Sequence, residues 1–143
     1  MTTLPSVELV AHEEAHVAVA RWVGWEVIGI TYGKRGGSGK AEYLRPAYDL
    51  NDWRELYVTL AGIVSDAHHY GDDPEYHVAL ILKKARRIEA TGFAPVREDD
   101  HWKAARILVA MSRWCRDATQ HREEELRAGW AEVQNILSDQ RRR

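Results

Sequence analysis

The sequence predicts a mainly helical domain with a small β-hairpin or short sheet beside its first helix. Three observations carry this. Apolar residues recur at helical spacing through most of the chain, one β-branched run is followed by a cluster of glycines, and capping residues stand where the helices should begin. The 143 residues, 45% hydrophobic and 29% charged, suit one domain spanning 1–143 with a single core.

Ser6 is placed as an N-cap with Glu8 in the first turn, so a helix should run over about 6–23 and stop at Gly24. Glu26 to Tyr32 is apolar and β-branched enough for a strand. Gly33, Gly36, Gly37 and Gly39 then supply a turn, and Ala41 to Leu44 can return, giving strands within about 26–44. Pro46 and the Asp49 to Asp52 stretch read as a loop capping a helix over about 53–68, in which Leu56, Leu60 and Ile63 keep helical spacing. Asp73 and Pro74 read as N-cap and first helical residue of a helix over about 74–91, ending at Gly92. Beyond Pro95, one stripe of Ile107, Leu108, Met111 and Trp114 and another of Leu126, Trp130, Val133 and Leu137 predict two helices, or one bent helix, within about 99–140.

Composition narrows the function. A formal net charge of -2 argues against nucleic acid or an anionic membrane as the main partner. The single cysteine, Cys115, allows neither an intramolecular disulfide nor a cysteine-based zinc site and fits a reducing cytoplasm. No apolar run approaches the ~20 residues of a membrane span, and the N-terminus lacks the pattern of a signal peptide.

The first helix carries His12-Glu13-Glu14-Ala15-His16. Residues i and i+4 share a helix face, so His12 and His16 can aim both imidazoles at one cation, for which zinc is the expected metal. Glu13 then stands beside the metal as a general base toward water, which suits peptide-bond hydrolysis. Catalytic zinc takes three protein ligands, so a third must come from elsewhere. Val19 and Trp22 occupy the positions where the metzincin continuation needs glycine and histidine, which excludes that subclass. Gly36 to Lys40 (GGSGK) is not a phosphate loop, because Lys34 stands where its first glycine belongs and Ala41 replaces the Ser/Thr.

His12 to Ala20, the strand and glycine turn through Gly37, Leu60-Ala61-Gly62 with Asp66 after it, and Gly71 to Ala79 together resemble the peptidase domain of the FtsH-type, M41 family of metallopeptidases. The resemblance covers roughly residues 9 to 93 and implies a zinc-dependent endopeptidase. It places Glu75 at the third zinc ligand, with Asp73 and then Asp66 as alternatives; Asp66 also fits a carboxylate that orients a ligating histidine. Asp73 has a competing task as a helix cap. Ala15 and Glu14 depart from the family's Gly and Ala without touching the ligands. The family's ATPase module and membrane anchor have no counterpart in these residues, so the expected partners are polypeptide substrates, a separate ATPase, or further copies of the chain. The rival expectation is a domain of the same fold that binds or regulates without catalysis.

The remaining features have structural readings. His68 and His69 suit the C-terminal end of their helix, and His77 belongs beside the site or at the surface. Trp22, Trp25, Trp53, Trp102, Trp114 and Trp130 read as core or interface anchors, and Glu123 to Glu125 as a solvated helix face.

Overall fold

The computed structural model describes residues 4–33, 36–45, 52–95 and 99–142. The order is α1 (Val7–Trp22), β1 (Glu26–Tyr32), β2 (Gly39–Leu44), α2 (Trp53–Tyr70), α3 (Pro74–Thr91), α4 (Asp100–Met111) and α5 (Ala118–Arg141). The expected mainly helical fold with a two-stranded antiparallel sheet is what forms. Lys34 and Arg35 in the glycine turn, and Pro46 to Asn51 in the loop before α2, lie outside the described residues.

Local chemistry sets the boundaries. The Ser6 hydroxyl accepts from the Leu9 amide at 3.1 Å, and Asp52, Asp73, Asp99 and Asp117 cap the other four helices in the same way. Gly71 and Gly92 close α2 and α3 with φ of 68° and 69°, a conformation that costs a residue with Cβ. The chain after residue 99 makes two helices, separated at Ser112 to Asp117. The GGSGK segment enters β2, not a helix, so it lacks the architecture of a phosphate loop.

β1 and β2 pair from Glu26 opposite Leu44 to Tyr32 opposite Gly39, with an irregularity between Val27 and Gly29. The core gathers Val19 of α1, Leu56, Leu60 and Ile63 of α2, Ile81 of α3, Ile107 and Leu108 of α4, and Leu126 and Val133 of α5. Each such side chain contributes ~1.5–3 kcal/mol by leaving water. α2 contacts all four other helices, which makes it the floor on which α1 and α4 are brought together. Of the tryptophans, Trp25 and Trp130 are buried, whereas Trp22, Trp53 and Trp114 are exposed, Trp114 by 91%. Among the described residues no helix is long and apolar enough to cross a membrane.

Candidate metal centre

α1 turns His12, Glu13 and His16 away from its exposed Glu14 and toward side chains of α2 and α4. His12 Nδ1 meets Asp66 Oδ2 of α2 at 3.0 Å, and His16 Nδ1 meets the Val58 carbonyl at 2.6 Å. Both partners only accept, so each ring donates from Nδ1, and Nε2 is the atom left to face a metal. The two Nε2 atoms lie 3.2 Å apart. Asp66 thus orients a histidine, one of the two tasks expected of it.

The third group is Asp100. Its Oδ2 stands 3.0 Å from His12 Nε2 and 3.1 Å from His16 Nε2. Asp99 caps α4 by accepting from the Trp102 amide at 3.0 Å. That leaves Asp100, the first helical residue, to point at the histidines, where the helix dipole favours its ionised form. Glu75 and Asp73 are not brought here. Glu75 is exposed and forms a two-armed pair with Arg127 of α5 at 2.6 and 3.1 Å, and Asp73 accepts from the Glu75 amide at 3.0 Å to cap α3. An acidic first turn behind a capping Asp occurs at both helix starts, and the structure brings that of α4, with Asp100, to the two histidines, and not that of α3, with Glu75 and Asp73.

Three donor atoms spaced 3.0 to 3.2 Å fit one small cation, since ligands in a tetrahedral zinc site with bonds of about 2 Å stand roughly 3.3 Å apart. On the α2 side the packing around them is tight. A Cβ at Gly62 would come within 2.5 Å of His12 Cε1, 2.6 Å of His16 Nε2 and 2.7 Å of Asp100 Oδ2. Gly62, within the Leu60-Ala61-Gly62 segment, is therefore what lets α2 lie directly against the three side chains. A Cβ at Gly39 would likewise meet Glu13 Cγ at 2.9 Å, so a larger residue in β2 would have to displace the buried Glu13 side chain.

Without a metal the cluster holds a proton. Burial disfavours the His12 cation, but hydrogen bonds to Asp100 and Asp66 and their charges outweigh it and push the pKa from 6.5 up to about 10. Burial also opposes ionised Asp100, yet His12 and His16 prevail and hold its carboxyl well below the ordinary range. The Glu13 carboxylate reaches within 3.9 Å of His12 Nε2.

Of the layer behind these residues the sequence offered only His77, as a residue beside the site or at the surface. Buried His77 of α3 binds Asp72 Oδ2 through Nε2 at 3.0 Å and His101 Nε2 through Nδ1 at 2.9 Å, and its ring stacks on Trp130 at 5.9 Å. Asp72 can only accept, so the His77 Nε2–H donates to it, and a single proton joins His77 Nδ1 to His101 Nε2. The chain Asp72, His77, His101 pins the start of α4 one residue from Asp100.

All of this opens into a cavity of about 750 Å³ lined by the metal group, Glu13, β2 from Gly39 to Tyr43, Arg45, Glu55 and Lys103. No family model, curated protein or solved structure matches the chain. The case for a function therefore rests on this geometry and on the motif in α1.

Proposed function

We propose that the protein is a zinc-dependent endopeptidase with His12, His16 and Asp100 as metal ligands and Glu13 as general base. The observation that carries the reading is the convergence of His12 Nε2, His16 Nε2 and Asp100 Oδ2 on one small volume, with the Glu13 carboxylate beside it. A bound zinc would supply a Lewis acid that polarises a carbonyl and brings the pKa of water to about 7.

The chain's own groups do the rest. Asp66 and the Val58 carbonyl fix the two imidazoles so that both present Nε2 lone pairs. Glu13, buried against Gly39, accepts the proton of the attacking water and returns it to the leaving nitrogen. Among the described residues β2 pairs only with β1, so its other edge offers main-chain donors and acceptors to an extended peptide in the cavity. A flexible polypeptide is the substrate class that such an edge admits.

The test compares zinc-loaded parent and Glu13→Gln on an unfolded protein substrate. The variant is expected to keep its metal and lose about 10²–10⁴-fold in rate, the usual worth of a general base. Equal rates would remove Glu13 from the mechanism. No cleavage by the parent, with metal bound, would favour a domain that binds without catalysis.

A further inference from the structure

Arg45 follows β2 directly and lines the same cavity as the metal group. Its guanidinium lies over the Trp25 ring at 4.9 Å and near Tyr43 at 5.7 Å, and its Nε stands 2.6 Å from Oε1 of the buried Glu55. The contact with Glu55 is ionic and falls short of an aligned hydrogen bond. The side chain is thus held by stacking and charge while its terminal nitrogens have no partner among the described residues. Lys103 of α4 lines the cavity too and acts electrostatically on the same Glu55.

Arg45 and Lys103 thus line the cavity as cations beside the buried Glu55, in a lining that also holds Lys40 and the carboxylates Glu13, Glu42, Asp66, Asp99 and Asp100. A guanidinium that is rigid, flat and open at its fork matches a carboxylate with two parallel hydrogen bonds. A purely structural Arg45–Glu55 pair would need neither the second cation nor the open fork. Position adds to this: a peptide lying along the free edge of β2 ends its run at Arg45.

Resting on the peptidase reading, we propose that Arg45, clamped by Glu55 and Trp25 and assisted by Lys103, is a specificity subsite for a peptide carboxylate, either an acidic side chain or a chain terminus. The subsite anchors the substrate while the metal group and Glu13 act elsewhere on the same chain.

The experiment measures binding of four fluorescent peptides to zinc-loaded Glu13→Gln, which separates recognition from cleavage. The peptides share one flexible sequence and differ in Asp or Asn at one position and in a free or amidated C-terminus. Neutralising the recognised carboxylate is expected to weaken binding roughly tenfold or more, as for hydrogen bonds to charged groups. A loss on amidation identifies the terminus, and a loss on Asp→Asn identifies the side chain. In the Arg45→Gln, Glu55→Gln double variant, which leaves no unpaired buried charge, that penalty should vanish. Should the double variant not melt cooperatively, Arg45→Lys serves, because it keeps the ion pair and loses the fork, and the penalty should fall at least threefold. Equal binding of all four peptides, no binding of any, or a penalty unchanged in these variants would overturn the subsite. Failure of the peptidase reading is seen separately, as absence of cleavage by the parent with metal bound.

Discussion

Gly62 shapes the cluster as much as any of its three polar side chains does. Its missing Cβ is the space in which His12, His16 and Asp100 meet, with contacts of 2.5 to 2.7 Å waiting for any larger residue. Gly62→Ala is expected to lower zinc affinity about 100-fold, the upper range for changes behind metal ligands, and to cost ~1–3 kcal/mol of stability through overpacking. Zinc titration and thermal melting of the variant check both figures. The segment Leu60-Ala61-Gly62 was legible in the sequence, but its reason was not, because nothing local says what stands opposite Gly62. The same holds for the carboxylates. His12, Glu13 and His16 needed only the period of one helix. Asp73 and Glu75 obeyed the cap-then-acid logic that Asp99 and Asp100 also obey, and the sequence gives both helix starts equal claim. Arg127, distant in sequence, takes Glu75 into a surface pair that also holds its carboxyl below the usual range.

Helices are the scale at which the chain was most legible, because each begins at its own cap and three of the sequence-predicted boundaries rest on Ser6, Asp73 and Gly92. What could not be read was how α3 and α4 abut, since that depends on packing among residues far apart in the chain. Their junction is held by His77, and its place between Asp72, His101 and Trp130 gives α4 a fixed starting point. His77→Phe preserves the ring stack and removes both hydrogen bonds. The expected result is a loss of zinc affinity on the order of tenfold with a melting temperature that remains cooperative. Undiminished affinity would mean that Asp99 capping alone places Asp100. His77→Gln, which can restore one hydrogen bond, should recover part of the loss.

Across the whole molecule, pH couples folding to metal binding. The raised His12 pKa stabilises the metal-free fold fully below its unfolded value of 6.5, and this contribution is lost as pH rises through about 10. The depressed Asp100 pKa contributes above its unfolded value of 3.8 and is lost on acidification below it. Zinc must displace the His12 proton, so affinity should rise by about tenfold per pH unit across neutral pH, with close to one proton released on binding. Calorimetry in buffers of different ionisation enthalpy measures that proton, and the zinc-induced rise in melting temperature should be larger near pH 8 than near pH 6. A pH-independent shift would place the proton elsewhere. The most direct test of the account is zinc stoichiometry and affinity in the parent, Asp100→Asn and Glu75→Gln proteins. The geometry at His12, His16 and Asp100 predicts one tightly held zinc per chain in the parent and in Glu75→Gln, and none in Asp100→Asn. Zinc retained without the Asp100 carboxylate, or lost with that of Glu75, would contradict it.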